Sequence, residues 1–145
     1  MKLSHSENDV IVAMLEKCSL WSGLDGQDLK AIMKVSKQQE FQTGETIVKK
    51  GDEGAGFYLV LEGLVEVRTN GKTLAKLGPG HFFGEMSVVD TQPRSADVVA
   101  VESSRALVLS AWAFKSLLSE RPRIGVKMLQ EFARRLRNTD RALNE

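Results

Sequence analysis

Two charged side chains in the middle of the chain stand at a spacing that suits an anionic ligand. Glu85 follows Gly84 at the predicted start of a one-turn helix, and Arg94 comes nine residues later, directly after Pro93. A helix start offers free backbone N–H groups and the positive end of a dipole, and an arginine fork can bond two anionic oxygens at once. Because Glu85 would repel an anion, it makes sense only if the ligand also carries a hydroxyl that needs an acceptor. The pattern favours a sugar phosphate.

Short apolar runs separated by glycine-containing turns lie on both sides of this segment. Asn70-Gly71, between two of these runs, is a strong signal for a β-hairpin. Short strands at such spacing are typical of an antiparallel barrel or roll. The runs cover residues 46–48, 57–61, 64–67, 73–77, 96–101 and 105–109.

Helical spacing of apolar residues marks the two ends of the chain. A helix pattern over residues 8–18 is followed by Asp25, which we expect to cap a second helix. Ser110 is the expected N-cap of a third helix, and Pro122 is expected to open a long helix that reaches about residue 143. The predicted fold class is therefore α+β, with an antiparallel, jelly-roll-like β-roll flanked by N-terminal helices and a long C-terminal helix. We expect one domain over residues 1–145, made of helices (1–37), the β-roll (38–109) and helices (110–145).

Apolar residues on the predicted long helix recur at alternating steps of four and three, which is the pattern of a heptad seam. An acid, Asp140, interrupts the seam. Such an acid is costly between two apolar helices unless a partner pairs with it. A homodimer through this helix is one expectation, although about two heptads are short for an autonomous coiled coil. The seam residues are Leu129, Ala133, Leu136, Asp140 and Leu143.

Composition narrows the function classes. The net charge of +1 excludes a global field for nucleic acid, and Cys18, the single cysteine, excludes an internal disulfide or a cysteine-built zinc site. No apolar run reaches the ~18 residues of a membrane helix, and no signal peptide is visible, so a cytoplasmic protein is expected. No pair of residues resembles a nucleophile with its base, so we expect no enzyme. His81 is expected to be a loop residue, and Trp21 and Trp112 to pack in the core or at helix junctions.

These features resemble the cyclic nucleotide-binding domain family, and the resemblance covers nearly the whole chain. Residues 83–87 and 93–96 are similar to the phosphate-binding cassette of that family, here called the cassette (residues 83–96). A lone Gly-Glu or Pro-Arg pair would carry no weight, but all of the motifs stand in order at the family's spacing. The β-roll signature is matched by residues 51–52, 57–60, 62–63 and 65–67, and the entry turn by residues 18–24.

The resemblance implies a role for each residue of the anion site. Arg94 would pair with the exocyclic oxygens of a cyclic phosphate, and backbone N–H groups around Met86 and Ser87 would complete the cradle. Glu85 would accept the ribose 2′-hydroxyl, helped by the Gly84 backbone, which has no side chain to block the approach. The implied ligand is cAMP or cGMP, and no cofactor is implied.

The same resemblance implies contacts around the sugar and the base. Ser95 would touch the phosphate or the base through its hydroxyl, and Ala96 closes the matched cassette. Val67, Ala75 and Leu77 stand where the family lines the ribose and base with small apolar groups.

The long helix resembles that of bacterial catabolite-activator proteins, where it forms the dimer seam and offers a Thr-Ser pair to the base. This chain has Thr139 followed by Asp140. The partner of Asp140 could be base N–H groups or Arg141 of a second subunit. Guanine presents N1–H and an amine side by side, which suits a carboxylate. The resemblance also implies that a hydroxyl after the cassette arginine, here Ser95, can favour guanine in a syn pose, as in some family members. The arginine-serine pair is equally that of cAMP-binding activators, and on resemblance we favour cAMP over cGMP.

An arginine cluster at residues 134, 135 and 137 raises the alternative of nucleic-acid binding. On a helix these arginines alternate with Glu131 and Asp140, which favours a mixed solvated face. The regulators that this helix resembles continue past it into a winged helix-turn-helix, whereas this sequence ends some tens of residues too early for such a unit. No DNA-binding domain is therefore expected in this chain.

The expected function is that of a cytoplasmic, non-enzymatic regulatory module. It would sense a cyclic mononucleotide, signal by moving its C-terminal helix and act on an unidentified effector protein or domain, away from membranes. The alternatives are a degenerate β-roll that senses haem, another metabolite or nothing, and a dimerisation module that uses the heptad seam.

Overall fold

The structure, a computed structural model, describes residues 5–53, 56–85, 87–90 and 92–144, with side chains from residue 7 to residue 140. In the described residues, helices precede and follow the strands, and a single-turn helix lies between two of the strands. The predicted α+β class, with a flanked antiparallel β-roll, is confirmed. The helices are α1 (His5–Glu16), a 3-10 turn (Ser19–Trp21), α2 (Gly26–Val35), α3 (Ser87–Asp90), α4 (Ala111–Glu120) and α5 (Pro122–Asn144).

The strands form two antiparallel four-stranded sheets, in the orders β1-β8-β3-β6 and β2-β7-β4-β5. The six runs read from the sequence correspond to β2, β3, β4, β5, β7 and β8, whereas the polar β1 and the two-residue β6 were not predicted. The strands are β1 (Lys37–Phe41), β2 (Thr46–Val48), β3 (Gly56–Glu62), β4 (Val65–Thr69), β5 (Lys72–Leu77), β6 (Phe82–Phe83), β7 (Asp97–Ala100) and β8 (Ser104–Ser110).

The cassette joins the two sheets. It leaves the first sheet at β6, forms the single turn of α3 and enters the second sheet at β7. Val88 of α3 is fully buried in the main apolar core, among residues of α1, α2, β3, β8, α4 and α5. The cassette is therefore anchored in the helical core by one side chain while its two ends belong to different sheets.

Two predicted helix caps are confirmed. The side chain of Asp25 accepts the N–H of Asp28 at 2.9 Å, and the Asp28 carboxylate accepts the N–H of Asp25 at 3.2 Å, which makes a reciprocal capping box. Ser110 Oγ accepts the N–H of Ala113 at 3.1 Å at the start of α4. Pro122 is the first residue of α5, where its missing N–H costs no hydrogen bond.

The two tryptophans differ from one another. Trp21 is buried and meets Phe57 edge to face, with ring centroids 5.3 Å apart, as expected for a core residue. Trp112 is 78% exposed, so the expectation that it packs in the core or at a helix junction was wrong. Its neighbours Ala111 and Phe114 take the buried face of α4 instead, which leaves position 112 on the outer side.

Helix α5 is fastened to the turn that precedes α2. Lys127 Nζ donates to Asp28 Oδ2 at 2.6 Å and to Asp25 Oδ2 at 3.3 Å. These two contacts are here called the Lys127 bridge. Nη2 of Arg135 donates to the Ser19 carbonyl and to Ser22 Oγ. Helix α5 is thus held by polar contacts as well as by the apolar packing of Ile124 and Met128.

The predicted heptad seam lies on the outer face of α5. Leu129 and Leu136 are 68% and 64% exposed, and Ala133 and Asp140 are also exposed. Side chains beyond residue 140, Leu143 and Arg141 among them, lie outside the described ones. Within the described ranges, no helix combines the length and the apolar character needed to cross a bilayer.

Candidate functional site

A cavity of about 310 Å³ opens where the cassette meets the second sheet. A volume of this size is in the range of small-molecule sites. The lining combines polar and charged groups of the cassette with apolar side chains of the cassette and the strands. The lining residues are Val48, Val67, Phe83, Gly84, Glu85, Ser87, Asp90, Gln92, Pro93, Arg94, Ser95, Ala96 and Val98.

Much of the residue set inferred from the sequence is brought together in this cavity. Seven members of that set line it, and they include both charged groups, which are the basis of the chemical argument. Met86 lies outside the described residues. The seven are Val67, Gly84, Glu85, Ser87, Arg94, Ser95 and Ala96.

Gly84 allows the close approach that gives the site its shape. Its φ angle is +78°, a conformation that side chains with a Cβ rarely adopt. A Cβ built on Gly84 would overlap the carbonyl oxygen of Gly56 and Nη1 of Arg94, and would lie 3.2 Å from Arg94 Cζ. The absence of a side chain at residue 84 is therefore a requirement for the observed position of the arginine.

The backbone of Arg94 is tied to the turn before β3. Its N–H donates to the carbonyl of Asp52 at 3.0 Å, and its carbonyl accepts the N–H of Gly51 at 2.8 Å. This pair of bonds fixes residue 94 against a different part of the chain. The side chain consequently starts from a defined position at the rim of the cavity.

The guanidinium of Arg94 lies between a backbone carbonyl and an aromatic ring. Nη2 donates to the Gly56 carbonyl at 2.7 Å, and Cζ lies 5.7 Å from the centroid of the Tyr58 ring. Burial lowers the pKa of Arg94, while Tyr58, Asp52 and Glu85 act in the opposite direction. Since an arginine keeps its proton in proteins, the cavity holds a partly desolvated cation with several donors left for a ligand.

Glu85 places a negative charge on the same cavity, towards the helical core. Burial raises the pKa of the Cys18 thiol to about 12, and the charge of Glu85 adds to this effect. The thiol is therefore unreactive near neutral pH. A cation and a carboxylate on one wall can serve a ligand that carries an anionic group and a hydroxyl donor.

The apolar part of the lining includes three valines on paired strands. Val67 of β4 pairs with Val98 of β7, and Val48 of β2 is also paired with Val98. Together with Phe83 they offer an apolar surface to a flat or non-polar part of a ligand. The sequence argument missed Val48 and Val98, although alternation along β7 would have directed Val98 inward. It also did not assign the cavity residues Phe83, Asp90, Gln92 and Pro93 to ligand contact.

The other residues of the inferred set lie elsewhere. Ala75 and Leu77 belong to β5, opposite Val67 and Val65, and they are not among the residues that line the cavity. Ala75 is exposed, and Leu77 packs against the apolar cluster of the second sheet. In this arrangement Val67 stands between the cavity and β5.

Thr139 and Asp140 are exposed on α5, and they too are absent from the cavity lining. The Thr139 hydroxyl donates to the carbonyl of Arg135 at 3.1 Å, one helical turn back. Contact of these two residues with a base therefore requires α5 to move or a second subunit to supply them.

Histidine and metal chemistry have no assembled site in the described part of the chain. Nδ1 of His81 lies 3.3 Å from the backbone N and O of Gly78, within its own turn. No cluster of three or more potential metal ligands occurs among the described residues.

Comparison with known proteins agrees with the fold and with the family resemblance. The family model described as "Cyclic nucleotide-binding domain" matches residues 38–121. A CRP-like cAMP-activated global transcriptional regulator of Mycobacterium tuberculosis is 27% identical over 135 residues, which cover 90% of this chain. The cyclic AMP receptor protein of Thermus thermophilus is 35% identical over 130 residues, which cover 86% of this chain. The chain spans 60% of the length of each of these two relatives.

A solved structure shows the same fold over nearly its whole length. The N-terminal domain of a transcriptional regulator from Streptomyces coelicolor matches with a TM-score of 0.79 and 31% identity. The match covers 90% of this chain and 94% of that one. The likeness therefore includes the flanking helices as well as the strands.

Proposed function

The chain belongs to the cyclic nucleotide-binding domain family, and we propose that it binds a cyclic mononucleotide and acts as a ligand-sensing regulatory module. The observation that carries the proposal is that Arg94 and Glu85 line one cavity together with Gly84 and several apolar side chains. A cyclic ribose phosphate has the matching parts, since it combines an anionic phosphate, a free 2′-hydroxyl and a flat base.

The proposed roles follow from the chemistry of each group. Arg94 binds the exocyclic phosphate oxygens with the N–H bonds that Gly56 leaves unused, and backbone N–H groups around Ser87 and Met86 complete the cradle. Glu85 accepts the 2′-hydroxyl. Ser95 contacts the phosphate or the base through its hydroxyl, and Ala96 follows it in the cavity lining.

The apolar side of the cavity accommodates the sugar and the base. Val67 is the strand residue of the inferred set that lines the cavity. Ala75 and Leu77, on the adjacent β5, contact the ligand only if a base extends beyond Val67.

We propose cAMP as the preferred ligand over cGMP. Support comes from the relatives, because the regulators from M. tuberculosis and T. thermophilus are named for their response to cAMP. Thr139 and Asp140 are the proposed base-reading residues. Titration calorimetry of the wild type and of Asp140→Ser with cAMP and cGMP tests both points. If Asp140 reads the base, the ratio of the two affinities changes in Asp140→Ser, and an unchanged ratio removes it from the site.

Signalling through α5 is supported by a continuous path of contacts from the cassette. Helix α3 packs against α4, and α4 packs against α5. Val88 of α3 shares one core cluster with Ile124 and Met128 of α5. A ligand that shifts the cassette would therefore bias the packing of α5. The proposed shift predicts that nucleotide changes amide hydrogen exchange in residues 123–143, and unchanged exchange would contradict it.

The proposed module is one non-enzymatic, cytoplasmic domain over residues 1–145 that passes its signal to an effector protein or domain. The exposed seam of Leu129 and Leu136 favours a homodimer through α5. If the seam were the whole function, a concentration-dependent dimer would form that gains no thermal stability from cAMP, cGMP or cyclic dinucleotides.

A further inference from the structure

We propose that Tyr58 is a positioning residue for Arg94, which holds the guanidinium at the cavity rim before a ligand arrives. The inference deepens the proposed function and rests on it, because it concerns how the phosphate-binding group is kept in place. Tyr58 is not among the residues that line the cavity, so it acts through Arg94.

Three close neighbours surround the guanidinium, and two of them, Gly56 and Tyr58, are not among the residues that line the cavity. Nη2 is bonded to the Gly56 carbonyl at 2.7 Å, Nη1 lies against Gly84, and Cζ lies 5.7 Å from the Tyr58 ring centroid. The distance to the ring is within the range of a cation–π contact. A guanidinium has five N–H donors, and the bond to Gly56 uses one of them, so the fork remains available to an anion.

The Tyr58 ring is itself fixed by the sheet. Tyr58 of β3 pairs with Phe83 of β6, and their rings stack with centroids 4.7 Å apart and planes 5° apart. On its other edge β3 pairs Tyr58 with Val108 of β8. Phe83 directly precedes Gly84 in the chain. The stacked pair of Tyr58 and Phe83 therefore links the ring beside Arg94 to the start of the cassette.

The Tyr58 ring stabilises the partly buried charge of Arg94. The guanidinium is partly withdrawn from water, which disfavours its charge, and one backbone carbonyl is its only hydrogen-bond acceptor among the described contacts. The negative face of an aromatic ring stabilises such a cation without competing for its N–H donors. Asp52 and Glu85 supply the further negative charge near Arg94. An arginine held in this way loses less rotamer freedom when the ligand binds.

A fluorination series at position 58 separates this role from simple packing. Tyr58→Phe keeps the π-face, and mono- and trifluorophenylalanine weaken the face in steps with little change of volume. We expect Tyr58→Phe to bind cAMP like the wild type, and the trifluorinated ring to lose about three- to tenfold in affinity, the scale of one cation–π contact. The inference would be overturned if all the variants bound cAMP with the same affinity. It would also be overturned if Tyr58→Phe lost as much affinity as the fluorinated variants.

A measurement without nucleotide separates failure of the inference from failure of the proposed function. We expect the NMR signals of the Arg94 guanidinium to show slow rotation about the Nε–Cζ bond in the ligand-free wild type and in Tyr58→Phe. Rotation should become faster in the trifluorinated protein, with Arg105 as the internal reference in each sample. Equal Arg94 rotation in all three proteins would overturn the positioning role, whether or not cAMP binds. Absence of cAMP binding by the wild type would instead overturn the proposed function.

Discussion

The guanidinium of Arg94 lies over Gly84, in the space that any side chain on residue 84 would occupy. The identities of the two residues are therefore coupled, because Arg94 can take its observed position only if residue 84 is a glycine. Gly84 and Arg94 are ten positions apart in the chain. The sequence placed them in one ligand site but did not predict the steric contact between them.

Gly84→Ala should displace Arg94 and lower the affinity for cyclic nucleotide by at least about tenfold, since a charge-assisted bond contributes ~1.5–3 kcal/mol. The positive φ angle alone would also cost about 1–2 kcal/mol of folding free energy. Gly71→Ala is a matched control, because Gly71 has the same φ of +78° and no atom within 4 Å of a built Cβ. Calorimetric titration and thermal unfolding should show that both variants lose stability but only Gly84→Ala loses affinity. Equal affinities would refute the coupling.

Arg94→Lys keeps the charge and loses the planar fork, so it should weaken binding by roughly 10- to 100-fold. The control is Arg105→Lys on β8, whose side chain is bonded to Gln38 and Glu62 at a distance from the cassette. Titration with cAMP compares the two variants with the wild type. Retained affinity in Arg94→Lys would show that the phosphate does not use the fork.

Glu85→Gln should reduce discrimination between a ribose and a 2′-deoxyribose ligand. A site built for a hydroxyl leaves its acceptor unpaired with the deoxy ligand, so we expect the wild type to prefer cAMP over 2′-deoxy-cAMP by about tenfold or more. The preference should narrow in Glu85→Gln. Asp90→Asn removes another carboxylate from the cavity lining and should leave the ratio unchanged. An unchanged ratio in Glu85→Gln would move the hydroxyl acceptor to another residue.

Lys127→Met should lower the temperature of unfolding, because it removes the cation that lies against the nearly buried Asp28 carboxylate. Lys30→Met, at an exposed position of α2, is the control and should have little effect. Differential scanning calorimetry of the two variants provides the comparison. Equal melting temperatures for Lys127→Met and the wild type would show that the Lys127 bridge adds no stability.

The Lys127 bridge also predicts the response to acid. The N–H of Asp28 and the Lys127 ammonium lower the pKa of Asp25 below its usual value. Between the folded and the unfolded pKa the unfolded chain binds more protons, so this contribution is complete above about pH 4–5 and is lost as the pH falls below the usual aspartate value. The acid-induced loss of stability should be smaller in Lys127→Met. Parallel pH profiles for the two proteins would contradict the assigned cause.

The parts of the site that are continuous in the chain could be predicted from the sequence. Gly84, Glu85 and Arg94 belong to one segment with distinctive residue types, and the caps at Asp25 and Ser110 depend on residues three positions away. Such local patterns carry their own geometry.

The remainder depends on which strands become neighbours. Tyr58 meets Arg94 from a distant part of the chain, and its ring stacks on Phe83 of β6, a two-residue strand too short to leave a pattern. Val48 and Val98 meet through the pairing of β2 with β7, across about fifty residues of chain. Trp112 was misplaced because the burial of one helix face is decided by what α4 packs against, and a short apolar run does not show which face that is.

The central claim is that the cassette cavity binds a cyclic nucleotide, and titration calorimetry of the wild-type chain with cAMP tests it most directly. The account predicts saturable binding with one site per chain, weakened at least about tenfold in Arg94→Lys, as expected for loss of a charge-assisted fork. Absence of saturable heat, supported by an unchanged melting temperature in excess cAMP and cGMP, would contradict it.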